Sequence, residues 1–197
     1  MKRRRWKFTC APITAFFLIG TAFFDRTGLG VATAMAALFH ELGHFVAARL
    51  MEIPIASVRI DLLGARIETR DRLLSFSEEW LFAAAGPLFS LLGSILGAPL
   101  WQLHPFFWRF SVASLLLGVL NLLPVKTFDG GRMTEMLLSR FLGARGSFCV
   151  MQGITLAVLF FLWAASGYLL LRADGGMLLF AFFFSLLARF LENGKIG

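Results

Sequence analysis

An apolar stretch that carries two histidines decides the fold: residues 29–51 read LGVATAMAALFHELGHFVAARLM, with His40-Glu41-Leu42-Gly43-His44 inside it. A run of this length predicts a helix that crosses a membrane. Positions i and i+4 of a helix share one face, so His40 and His44 can both reach one metal ion. Glu41 lies beside them, where it can take a proton from water as a general base. Because ionisable residues inside a spanning helix are costly, this pattern predicts a zinc peptidase site within the membrane.

The composition is that of an integral membrane protein. Of the 197 residues 58% are hydrophobic and only 16% are charged, and the mean hydropathy is +0.75. In soluble domains roughly a quarter of the residues are charged. In a soluble chain the net charge of +7 would suggest binding to nucleic acid. In a membrane protein it is better explained by the usual excess of Lys and Arg residues on the cytoplasmic side. Since basic and aromatic residues do not alternate, we expect no nucleic-acid partner.

The hydropathy pattern predicts an all-α bundle of six spans that forms one domain, residues 1–197. With the N-terminus in the cytoplasm, 16 of the 19 Lys and Arg residues fall on the cytoplasmic side. This asymmetry predicts cytoplasmic N- and C-termini and an even number of spans, the first of them uncleaved. The predicted spans are residues 9–24, 29–51, 79–101, 106–123, 148–171 and 175–190.

Two cytoplasmic segments have patterns of their own. Residues 53–69 alternate apolar and polar side chains on both sides of Gly64, which predicts a small membrane-associated β-hairpin. A plain connector is the alternative for this segment. Residues 132–141 predict a short amphipathic helix that lies on the membrane, with Arg132 and Arg140 facing water.

A catalytic zinc ion takes three protein ligands, so two histidines leave one ligand to be found. The best candidate is Asp129, in Asn121-Leu-Leu-Pro124-Val-Lys-Thr-Phe-Asp129-Gly130-Gly131. This segment follows the fourth span, which also ends at the cytoplasmic side. The Pro breaks the helix and the Gly pair permits a sharp turn, so Asp129 can enter the bundle. His104 falls on the opposite side of the membrane, where we expect an interfacial loop residue.

Taken together, the motifs resemble those of the site-2 protease family of intramembrane zinc metalloproteases, peptidase family M50. The set consists of the His-Glu-x-x-His motif, Asn121-x-x-Pro124-x-x-x-x-Asp129-Gly130, and Ala84-Ala85-Gly86-Pro87 in the third span. The layout is most similar to the bacterial branch typified by sporulation factor IV FB. The resemblance implies one zinc per chain, held by His40, His44 and Asp129, with Glu41 as the general base. It also implies that Asn121 lies near the substrate or the developing oxyanion.

Two residues depart from the family pattern: Ser90 stands where many relatives place Asn, and Thr127 where close relatives often have a second Pro. We expect no PDZ-like insertion and no nucleotide-sensing CBS domain. The Gly86-Pro87 pair has an alternative explanation as a kink or a close helix contact.

The resemblance implies a metalloendopeptidase in the bacterial inner membrane, with its active site near the cytoplasmic side. The expected partners are the bilayer, a membrane-associated protein substrate and, as an option, inhibitory membrane proteins. A pro-sigma factor in sporulation, an anti-sigma factor and a signal-peptide remnant are all consistent substrates. Two other classes stay open: a catalytically silent membrane adaptor, and a metal transporter or channel. The second would need ionisable residues along several spans, which the fifth and sixth do not have.

Overall fold

The computed structural model describes residues 7–10, 25, 27–53, 55–61, 64–69, 74–172 and 177–193. The chain divides into two compact units, Met1–Leu122 and Leu123–Gly197, here called the N-terminal unit and the C-terminal unit. The described elements are β1 (Lys7–Cys10), α1 (Leu29–Leu50), β2 (Ile55–Asp61), β3 (Gly64–Thr69), α2 (Phe76–Gly97), a 3₁₀ helix (Ala98–Gln102), α3 (Pro105–Asn121), α4 (Asp129–Arg172) and α5 (Met177–Asn193).

Three helices, α1, α2 and α3, form the bundle of the N-terminal unit, and each contacts the other two. Their buried positions carry mostly small side chains, which permits the close helix packing typical of membrane proteins. The helix ends are capped by local sequence. Ser75 and Glu78 form a capping box at the start of α2, with the Ser75 amide donating to Glu78 Oε2 at 2.8 Å.

The end of α1 is closed by a Schellman motif. The Ile53 amide donates to the Ala48 carbonyl at 2.8 Å, and the Glu52 amide donates to the Arg49 carbonyl at 3.3 Å. Glu52 has a φ of 54°, the left-handed conformation that this motif requires and that glycine adopts at least cost. Ile53 packs with Ala48 and Phe82 in a small apolar cluster, so α1 ends firmly against α2.

The strands of the N-terminal unit form one sheet in the order β1-β2-β3. β2 and β3 pair antiparallel across the segment for which the sequence predicts a hairpin, with Arg59 opposite Arg66 and Asp61 opposite Gly64. β1 pairs parallel to β2, with Thr9 opposite Arg59. The prediction that Thr9 and Cys10 begin the first span is therefore wrong, because both residues belong to β1.

In the C-terminal unit, α4 and α5 pack on each other, with the rings of Trp163 and Phe180 5.9 Å apart. α4 breaks at Gly143, whose φ of 68° and ψ of 173° are accessible essentially to glycine alone. The predicted amphipathic helix, residues 132–141, precedes this break, and the predicted fifth span, residues 148–171, follows it.

Among the described residues, three helical segments are long and apolar enough to cross a membrane: Leu29–Leu50, Phe76–Gln102 and Asp129–Arg172. They overlap the predicted second, third and fifth spans. The helices at the predicted fourth and sixth spans, α3 and α5, each have 17 residues, and α3 is an apolar helix below the length of a full crossing. Residues 11–24 of the predicted first span lie outside the described residues. Three of the predicted spans therefore coincide with candidate membrane-spanning helices, and the other three stay predictions.

Candidate metal centre

The two histidines of the sequence motif share one face of α1, as their spacing predicts. Only 4% of His40 and 6% of His44 is exposed. Their ring centroids lie 5.1 Å apart, with the ring planes at 75°. Two imidazoles buried so close together in an apolar bundle need specific polar partners, because unsatisfied polar groups there are costly.

One of those partners determines which ring nitrogen of His44 carries the hydrogen. Its Nδ1 lies 2.9 Å from the backbone oxygen of Phe82 on α2. A carbonyl oxygen can only accept, so Nδ1 must carry the hydrogen and donate it. In the neutral imidazole the remaining lone pair is then on Nε2, which is the arrangement of a histidine prepared to bind a metal.

His40 is held by a side chain of α2. Its Nδ1 lies 2.9 Å from Ser90 Oγ, and Ser90 is fully buried. A hydroxyl can both donate and accept, so it can receive the Nδ1 hydrogen of His40. Both imidazoles are thus anchored to α2 through Nδ1.

The Nε2 edges of both rings converge on Gly86 of α2. A Cβ added at Gly86 would lie 2.6 Å from His40 Nε2 and closer still to His44 Nε2. Both Nε2 atoms therefore face the same point of the α2 backbone, which comes so near only because Gly86 has no side chain. The donor chemistry of the two Nε2 atoms fits a zinc ion, since histidine nitrogens are typical zinc ligands.

Two further predicted residues lie in the N-terminal unit. Glu41 follows His40 on α1 and is half-buried. Asn121 is the last residue of α3, where its Nδ2 donates to the Leu117 carbonyl at 3.0 Å. The Nδ1 atom of His104 accepts a hydrogen bond from the Phe106 amide at 3.1 Å and so caps the start of α3.

Asp129 is the first residue of α4 in the C-terminal unit and is half-buried. The positive end of the helix dipole favours a carboxylate at this position. The backbone just before it is tightly folded, because a Cβ at Gly131 would collide with the Val125 carbonyl oxygen. The Phe128 carbonyl accepts from the Gly131 amide at 3.1 Å, which starts the helix directly after the turn.

A buried threonine fastens the turn that leads to Asp129. The Lys126 amide donates to Thr155 Oγ1 at 3.2 Å, and Thr155 is fully buried. The Lys126 ammonium also lies 3.4 Å from the centre of the Phe148 ring, within cation–π range. The turn is therefore held to the second half of α4 by two separate contacts. Thr127 is exposed in this turn, and nothing in the structure explains its departure from the family pattern.

Sequence reasoning missed three partners of these residues: Ser90, Thr155 and the Phe82 carbonyl. Ser90 could have been found, because it lies four residues after Gly86 and so on the same face of α2. The other two carry no sequence signal. A backbone carbonyl has no residue type of its own, and Thr155 is separated from Lys126 by 29 residues.

Comparisons with known proteins agree with the motifs. The sequence model of Peptidase family M50 matches residues 97–165. Rip3 of Mycobacterium tuberculosis, which is named as a zinc metalloprotease, is 30% identical over 139 residues, 66% of this chain and 34% of that protein. A zinc metalloprotease of Methanocaldococcus jannaschii is 28% identical over 116 residues, 55% of this chain and 34% of its own length. The chain spans about a third of the length of these relatives.

A solved structure shares the fold. The site-2 protease from Methanocaldococcus jannaschii superposes with a TM-score of 0.68 at 21% identity, covering 91% of this chain and 85% of that one. The chain is therefore similar to peptidase family M50 over residues 97–165 and to two relatives named as zinc metalloproteases, and it shares its fold with a site-2 protease.

Proposed function

We propose that this chain is a zinc-dependent endopeptidase that cleaves protein segments within a membrane. One observation carries the proposal: the Nε2 atoms of His40 and His44 converge at Gly86 while both Nδ1 atoms are held by α2. A pair of histidines with no metal to bind would not need a glycine at this point of the facing helix. The names of the two relatives support the same chemistry.

The proposed ligand set is His40, His44 and Asp129, with one zinc per chain. These residue types are the donors of a catalytic zinc site, and all three are buried or half-buried. Asp129 suits the role because it starts α4, where the backbone turn and the helix dipole both favour an oriented carboxylate.

When bound there, zinc would act as a Lewis acid on the scissile carbonyl and lower the pKa of a water ligand. The protein's own contribution is to hold and move protons. Glu41, next to His40 on α1, would receive the proton of the attacking water and return it to the leaving amine. The Phe82 carbonyl keeps the His44 hydrogen on Nδ1, so the Nε2 lone pair of this imidazole would be available to the metal.

Two features support binding of a peptide substrate. An amide group carries two N–H donors, so the bond from Asn121 to Leu117 does not use all of them, and Asn121 would also bind the substrate or its developing oxyanion. A helical substrate must unwind before cleavage, because its carbonyls are already hydrogen-bonded. The edge strand β3 of the sheet would hold the unwound segment by strand addition.

The proposed setting is a bacterial inner membrane, with six spans, both termini in the cytoplasm and the catalytic centre near the cytoplasmic side. The substrate would be a membrane-associated protein. The motif resemblance to the sporulation branch makes a pro-sigma factor the first substrate to test, and membrane proteins that inhibit the enzyme would be further partners.

The test is a cleavage assay with the purified full chain in detergent micelles. A panel of single-span protein segments, including a pro-sigma factor, is incubated with the wild type, Glu41→Gln and the control Glu52→Gln, and the products are identified by mass spectrometry. Glu52 is an exposed glutamate just after α1. General-base catalysis contributes about 10²–10⁴-fold. We expect cleavage by the wild type and Glu52→Gln, and a loss of at least about 100-fold in Glu41→Gln with substrate binding retained.

Cleavage at the wild-type rate by Glu41→Gln would contradict the proposed mechanism. Binding of a segment without cleavage by the wild type, in a preparation that holds zinc, would favour the alternative of a catalytically silent adaptor.

A further inference from the structure

Ser90 is in direct contact with one of the proposed ligands, although nothing in the His-Glu-x-x-His motif points to it. It lies on α2 one turn after Gly86, and none of its surface is exposed. Its Oγ is 2.9 Å from His40 Nδ1. We propose that Ser90 is a positioning residue of the metal centre: it accepts the Nδ1 hydrogen of His40 and thereby directs Nε2 to the metal. The inference rests on the proposed function.

The two imidazoles need such a partner for the same reason but obtain it differently. His44 is oriented by a backbone carbonyl, which no substitution can remove. The Nδ1 partner of His40 is a side chain, which a substitution can remove. The groups that orient a metal-binding histidine usually contribute 10- to 100-fold to metal affinity.

The close approach of α3 explains why a serine occupies this position. A Cβ added at Gly118 of α3 would lie 3.0 Å from Ser90 Cβ and 3.4 Å from the Pro87 carbonyl oxygen. The α3 backbone therefore closes over Ser90 and leaves little room for a longer side chain. A hydroxyl is a short acceptor that fits beneath it.

A second buried serine of α2 provides a matched control. Ser94 lies one turn further along the same helix, and its Oγ is 3.3 Å from Ser111 Oγ rather than near a histidine. Both serines lose a buried hydroxyl contact when replaced by alanine, but only Ser90→Ala takes the acceptor away from His40. A general packing effect would appear in both variants, whereas an effect through the metal would appear in one.

The experiment compares the full-length wild type, Ser90→Ala and Ser94→Ala in detergent micelles. Zinc affinity is measured by competition with a chelator, and the visible absorption of bound Co²⁺ reports the geometry of the ligands. We expect zinc affinity to fall by about 10- to 100-fold in Ser90→Ala, together with a changed Co²⁺ spectrum. Ser94→Ala should bind zinc like the wild type. Circular dichroism and the Tm of the metal-free proteins check that both variants fold.

A measurement on the wild type keeps the inference testable even if Ser90→Ala does not fold. The chain has three histidines, so its histidine ¹⁵N spectrum is simple, and His104→Gln identifies the signals of the exposed one. A hydrogen on Nδ1 of His40 is the expected result. An Nδ1 without hydrogen, or a Ser90→Ala variant with unchanged zinc affinity and Co²⁺ spectrum, would overturn the role of Ser90 alone. Failure of the wild type to bind zinc would instead overturn the proposed function, and this inference with it.

Discussion

Gly86→Ala should abolish metal binding without unfolding the helix bundle. The new Cβ would lie 2.6 Å from His40 Nε2, and nearer to His44 Nε2, whereas real Cβ contacts below 3.0 Å are essentially never seen. At least one ring must therefore move by about 0.4 Å or more. Metal–ligand distances tolerate only about ±0.2 Å, so the displaced ring cannot keep its place in the ligand set. The expected loss of zinc affinity is about 100-fold or more, at least that of a removed orienting partner.

A control in the same helix separates this effect from crowding. Gly93→Ala places a Cβ 2.9 Å from the ring of Phe39, which packs against Phe89 and Phe110. Overpacking of this kind costs about 1–3 kcal/mol of stability, so both variants should lower the Tm of the metal-free protein to a similar degree. The assay is chelator competition for zinc in detergent micelles. Gly93→Ala should bind zinc normally, and wild-type affinity in Gly86→Ala would refute the convergence of the two Nε2 atoms.

Three other predictions concern stability, each measured by thermal unfolding in micelles. Glu52→Gly should raise the Tm by the equivalent of about 0.5–1 kcal/mol, because it relieves a left-handed φ of 54° without loss of the helix-ending hydrogen bonds; a lower Tm would contradict this. Thr155→Val should destabilise the protein by about 1 kcal/mol, since it removes the acceptor of the partly buried Lys126 amide, and an unchanged Tm would show that this hydrogen bond does not hold the turn. The pKa of Asp25 is lowered from 3.8, first by the Thr27 hydroxyl and then by backbone amides, so its stabilising effect is present above this value and lost as the pH falls below it. The Tm difference between the wild type and Asp25→Asn should therefore shrink as the pH falls below 3.8, and a constant difference would exclude a role of this carboxylate's charge.

The parts that could be predicted from the sequence are those set by local periodicity. The i, i+4 spacing of His40 and His44 places them on one helix face whatever α1 packs against, so their proximity follows from helix geometry alone. The apolar runs likewise predict α1, α2 and the second part of α4 to within a few residues. The turn before Asp129 was predictable because Pro124 and the glycine pair each restrict or free the backbone in a known way.

The parts that could not be predicted depend on contacts between distant segments. β1 joins the sheet beside β2, and the paired positions are 50 residues apart in the sequence, as for Phe8 and Val58. Its own sequence resembles the start of an apolar span, so local pattern alone misassigned Thr9 and Cys10. The anchoring of the two imidazoles likewise depends on how closely α2 approaches α1. Gly86 permits this approach, but a glycine in the sequence does not by itself predict it.

The central claim is tested most directly by the amount of zinc in the purified full-length protein, measured beside His44→Ala, because this needs no known substrate. The account predicts about one zinc per wild-type chain and its loss in the variant, with both proteins folded by circular dichroism. Well-folded wild type that holds no zinc, even after zinc is supplied, would contradict it.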